Sequence, residues 1–110
     1  MSLDADKIYK IVIEGGEEWA DCKAAFQLLD DMTKTIFADQ FTAIKVSHKC
    51  GQGEAELRAY AAEPYKAHLT ALHLARKAWL LAEVRYKSAV MLADLRRSEE
   101  STARAEMTLR

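Results

Sequence analysis

The chain has 110 residues, half of them apolar, with four glycines, one proline and a formal net charge of −1. That length and apolar share suffice for one domain with its own core, and so little glycine and proline excludes a turn-rich all-β fold. The near-neutral total argues neither for nor against a nucleic-acid or membrane partner, but residues 1–40 hold nine acids and four bases while residues 41–110 hold eight acids and twelve bases, so the two parts attract when folded back on each other.

Met1-Ser2-Leu3 reads as a vector-derived remnant outside the functional argument. Asp4 is placed to cap a first short helix in which Ile8, Ile11 and Val12 share a face, and Gly15-Gly16 then releases the chain. The β-branched cluster between Ile8 and Ile13 leaves a strand as the alternative, because six apolar-rich residues cannot be assigned by periodicity alone.

Residues 17–46 lack glycine and proline, and Cys22, Ala25, Leu29, Met32, Ile36 and Ala43 recur at helical spacing, which predicts a long helix. Trp19, Phe26, Phe37, Phe41 and Ile44 widen its apolar face enough to pack on more than one neighbour. Ser47 to Gly53 is polar with two glycines and reads as a connection. Residues 54–62 predict a short helix, and Glu63-Pro64 marks the next start, where the missing proline N–H costs nothing.

From Pro64 the helical pattern continues to about residue 100, and a tail over 101–110 reads as a solvated helix end or a frayed terminus. A helix that long needs a long mate beside it, and the first long helix is the natural one. Tyr65, Leu72, Trp79, Tyr86 and Ala93 recur at intervals of seven, the pattern of a supercoiled seam. Companion positions His68, Ala75, Ala82 and Ala89 bring small residues that permit close approach. The expected fold is therefore all-α: an antiparallel long-helix hairpin, coiled-coil-like, with short flanking helices, assembled into a multi-chain helical bundle. The expected helix-to-helix packing set is Tyr65, Leu72, Ala75, Trp79, Ala82, Tyr86 and Ala89.

A second apolar set, Leu74, Ala78, Leu81, Leu92 and Leu95, lies roughly opposite the Leu72 and Trp79 edge at about 100° per residue. One mate cannot cover both faces, so this set is expected to form the face on which the chain oligomerises.

Chemistry is sparse. His48 and Cys50 could begin a zinc site with His68 and His73, but the last two are five apart on a helix and point away from each other, and no Cys-x-x-Cys completes a set. Cys22 sits in the apolar stripe as a small hydrophobe. A Cys50 nucleophile assisted by His48 lacks an orienting residue and an oxyanion element, and no phosphate loop, dinucleotide fingerprint or nucleophile elbow is present. No cofactor, metal or catalytic residue is expected. The cysteines follow no signal peptide, which suits a reduced cytoplasm, and an apolar run such as Ala78 to Ala82, which none exceeds, is far below the roughly 20 residues of a membrane span.

Arg76, Lys77, Arg85, Lys87, Arg96 and Arg97, with Lys66 and Arg104 at the margins, are candidates for phosphate contact. The simpler reading is a solvated helix face paired with the acidic first part.

The stretch AELRAYAAEPYKAHLTAL from Ala55 to Leu72, with Arg85-Tyr86-Lys87 and the closing segment Arg96 to Met107, resembles small, largely uncharacterised helical proteins of bacteriophages and prophages. The resemblance implies an accessory role near DNA recombination or replication, carried out by a non-enzymatic oligomer; the alternative is a structural or scaffolding module without nucleic-acid contact. Secreted helical hairpins with a Trp-x-Gly turn are set aside, because the turn here is Cys50-Gly51-Gln52-Gly53.

Overall fold

The computed structural model describes residues 4–109. All secondary structure among them is helical: α1 (Ala5–His48), α2 (Gln52–Ala61) and α3 (Glu63–Leu109). The expected segment 1–3 lies outside the described residues.

Asp4 opens α1 as its cap: its Oδ1 accepts the Asp6 N–H at 3.1 Å and its carbonyl accepts the Ile8 N–H at 3.1 Å. These bonds satisfy donors that a helix start otherwise leaves orphaned. Ile8 to Ile13 is helix, and α1 runs through Gly15-Gly16 without interruption, so the release expected at the glycine pair is corrected. The cause is tertiary. A Cβ on Gly15 would lie 3.6 Å from the Tyr86 Cα, and one on Gly16 would lie 3.2 Å from the Tyr86 Cε1. The pair thus leaves room for a neighbouring helix, and close packing offsets the roughly 1 kcal/mol that each glycine costs in a helix interior.

Lys49 ends α1 in the left-handed region, with φ 49°, while no glycine adopts a positive φ. Gly51 is extended as the N-cap of α2 and its carbonyl accepts the Ala55 N–H at 3.0 Å. Ala62 is extended between α2 and α3, and its carbonyl accepts the Lys66 N–H at 3.0 Å. Pro64 therefore falls in the first turn of α3, where its missing donor is harmless. At the far end, α3 continues as an exposed helix to Leu109, so the expected tail is a solvated helix end.

Contacts group the chain into two units. The first joins the segment through Asp21 to Trp79 and beyond, and the second spans Cys22 to Ala78. In the first unit Gly15, Gly16 and Trp19 meet Tyr86, and Glu18 meets Arg85. In the second, Phe26 meets Arg76, Thr33 meets His68 and Phe37 meets Tyr65. Rising numbers on α1 meet falling numbers on α3, which is antiparallel pairing.

Burial follows heptads on both long helices. The buried and half-buried stripe of α3 is Tyr65, His68, Leu72, Ala75, Trp79, Ala82, Tyr86, Ala89 and Ala93, continued by Arg96 and Glu100. Its mate on α1 is Ile8, Val12, Gly15, Trp19, Cys22, Phe26, Leu29, Thr33, Ile36 and Gln40. Alternating steps of three and four along a seam are what two helices need to stay in register while they supercoil. Ala25, Met32 and Ala43, expected in the α1 stripe, are exposed; Phe26, Thr33 and Gln40 take the inward positions. A small shift in phase decides this, because the inward row of α1 runs through a glycine and two polar residues.

Candidate interaction faces

In the second unit the seam contains one polar layer. His68 is 7% exposed, and its Nε2 lies 2.9 Å from the Thr33 hydroxyl. The same hydroxyl lies within donating distance of the Leu29 carbonyl, at 3.3 Å, and the imidazole tautomer decides whether it donates to His68 or accepts from it. A satisfied polar pair inside a seam penalises any slip that would separate its partners.

Beyond this layer α2 closes the wide face of α1. Ala55 and Ala59 are fully buried, which lets α2 approach closely. Phe37 stands 4.6 Å from Tyr60 and 5.7 Å from Tyr65 between ring centroids, and Tyr60 and Tyr65 meet edge-on at 5.7 Å. Phe41 stacks on Phe37 at 6.3 Å and carries Lys45 Nζ over its ring at 5.7 Å. Phe37, beside the α1 stripe, thus finds its second neighbour in a helix of its own chain, whereas Trp19 and Phe26 lie in the seam itself.

The first unit has a different interior. Trp19 stacks on Tyr86 at 5.2 Å above the glycine pair, and Glu18 accepts a 2.9 Å hydrogen bond from Arg85. Ile8 is 5% exposed and floors a shallow groove of about 360 Å³ whose wall includes Tyr9, Val12, Arg96 and Arg97. Among the described residues each arginine has a carboxylate beside it, Arg96 with Glu100 at 3.4 Å and Arg97 with Asp94, although the buried Nε of Arg96 makes no hydrogen bond.

Among the described residues no third helix belongs to this unit, and its α3 surface is open. Leu80, Leu81, Val84, Met91, Leu92 and Leu95 are between 39% and 71% exposed. Of the expected oligomer face, Leu81, Leu92 and Leu95 are here. Leu74, 60% exposed, and Ala78, also exposed, lie in the second unit. Leu80, Val84 and Met91 were missed by the sequence reading. Their signal is a recurrence at eleven: Leu80, Leu81 and Val84 repeat as Met91, Leu92 and Leu95, and eleven residues are three turns of a nearly straight helix.

The expected packing residues are distributed along the seam. Tyr65 and Tyr86 make the ring contacts above, Leu72, Ala75 and Trp79 are half-buried, and Ala82 and Ala89 are 1% and 7% exposed. The six candidate phosphate contacts form no common stripe. Arg85 pairs with Glu18, Lys87 with Glu83 at 3.3 Å, Arg96 with Glu100 and Arg97 with Asp94, while Arg76 lies 5.2 Å over the Phe26 ring. Only Lys77 has no ion or ring partner among the described residues.

Among the described residues no cluster of three or more His, Cys, Asp or Glu could hold a metal ion. Cys22 and Cys50 are free thiols, both half-buried. His48 and His73 are exposed, and His68 is committed to Thr33. Also among these residues, no helix is long and apolar enough to cross a membrane.

Comparison with protein-family models, curated proteins and solved structures gives no match. The class defined by fold and surface is therefore an all-α helical hairpin with a third short helix.

Proposed function

We propose that this protein is a non-enzymatic, oligomeric structural or scaffolding module whose working surface is the open apolar face of α3. One observation carries the reading: six large apolar side chains between Leu80 and Leu95 are exposed on one helix. Contiguous apolar surface of this kind marks a protein contact on a soluble chain. The half-buried free cysteines suit a reduced, cytoplasmic setting. An accessory role beside phage or prophage DNA transactions is compatible with such a scaffold and rests on the sequence resemblance alone.

Direct nucleic-acid contact is the weaker reading. Phosphate binding needs basic side chains free to displace counterions along one track, and here most candidates are held by carboxylates or by a ring.

Light scattering over a concentration series and binding to single- and double-stranded DNA over a salt series separate the two. The wild type is expected to scatter as more than one chain, a variant with Leu81→Glu and Leu92→Glu as one, and neither to bind DNA. A folded wild type that stays monomeric and binds DNA in a salt-sensitive way would replace the scaffold reading with the nucleic-acid one.

A further inference from the structure

The open face of α3 is self-complementary. Lys77, Leu81, Val84, Ser88, Leu92, Leu95 and Glu99 follow one another at steps of four, three, four, four, three and four, a spacing that reads the same in both directions about Ser88. At about 100° per residue all seven fall within a sector of about 80°. All seven are exposed, and neither Lys77 nor Glu99 has an ion partner among the described residues.

We propose that a second copy of the chain occupies this face, with the two α3 helices antiparallel and the twofold axis at Ser88. The proposal rests on the scaffold reading and adds its occupant and arrangement. About that axis Leu81 meets Leu95 of the second copy, Val84 meets Leu92, and Ser88 meets itself. The small serine lets the helix axes approach at the crossing, as close-packed helices require. At each end Lys77 of one copy meets Glu99 of the other, about 16 Å from the centre at 1.5 Å per residue. A parallel arrangement brings Lys77 onto Lys77 and Glu99 onto Glu99, so the terminal charges select the antiparallel one. A twofold contact made by one patch on both copies is also the commonest form of oligomer.

Cysteine placement tests the arrangement in the full chain, with Cys22→Ala and Cys50→Ser as background and circular dichroism confirming helix content. Under mild oxidation with diamide, Ser88→Cys is expected to give a disulfide-linked dimer, because antiparallel packing brings the two Cα atoms within the several ångströms a disulfide spans. Leu81→Cys is expected to give none with itself, since its copies lie about 21 Å apart along the axis, but to cross-link with Leu95→Cys when the two variants are mixed. In the native-cysteine chain, Lys77→Glu and Glu99→Lys are each expected to weaken self-association about tenfold, and their combination to restore it to within about threefold.

Cross-linking of Leu81→Cys with itself would show a parallel pair and overturn the proposal. Self-association without Ser88→Cys cross-linking, or without charge-swap rescue, would overturn this arrangement and leave the scaffold reading standing. A monomeric wild type would overturn both.

Discussion

The two units solve the same packing problem with different resources. Each pairs α1 with α3 along a heptad seam, and each long helix carries more apolar surface than one mate can cover. In the second unit α2 supplies a third element, and Phe37, Tyr60 and Tyr65 close on one another against it. In the first unit the described residues supply no third element, and six large apolar side chains from Leu80 to Leu95 remain open. Apolar surplus that the chain covers itself is a stability device, whereas surplus left uncovered is a surface available for association.

Breaking the closed cluster should have the largest effect on stability. Phe37→Ala removes the ring that touches Phe41, Tyr60 and Tyr65, and is expected to cost about 2 to 3 kcal/mol, below the range for a fully buried phenylalanine because the residue is half-buried. Urea unfolding measures it, and a loss below about 1 kcal/mol would show that α2 is not an integral cover.

Next comes the polar layer. Thr33→Val keeps the shape but leaves the buried Nε2 of His68 without its hydrogen-bond partner, an expected loss of about 1 to 2 kcal/mol. Pairing Thr33→Val with His68→Leu removes both polar groups and is expected to recover most of that loss. Failure to recover would mean that Thr33 contributes by another route.

The connection between the helices offers a smaller change with the opposite sign. Lys49 holds a left-handed conformation that glycine adopts without strain, so Lys49→Gly is expected to stabilise by up to about 1 kcal/mol. Thermal melting at fixed protein concentration checks it.

The smallest effect sharpens the account of the first unit. Gly15→Ala places a methyl at ordinary contact distance from Tyr86 and should stabilise by about 0.5 kcal/mol through helix propensity. Gly16→Ala meets the Tyr86 ring at 3.2 Å while that ring is stacked on Trp19, and is expected to gain nothing. Equal gains at both positions would remove the close-approach explanation for the uninterrupted helix.

These sites also show what the sequence could reveal. The α3 seam was legible because Tyr65, Leu72, Trp79 and Tyr86 are large, apolar and seven apart, so chemistry and period agree. The α1 seam was harder because its inward row passes through Gly15, Thr33 and Gln40. Those residues carry no apolar signal, and the eye drifts to Ala25 and Met32 one phase away. Gly15-Gly16 misled for a related reason: glycine's local preference points to a break, and only Tyr86, some seventy residues on, explains why helix persists. The Leu81, Leu92 and Leu95 row is visible as a second face, but its symmetry about Ser88 depends on Val84, which only its exposure assigns to that face.

Sedimentation equilibrium of the wild type beside the Leu81→Glu, Leu92→Glu variant tests the open face most directly. The wild type should reach twice the mass of one chain as concentration rises, and the variant, with unchanged helix content, should remain at one. Equal masses for the two proteins at every concentration would contradict the assignment of this face to a second copy.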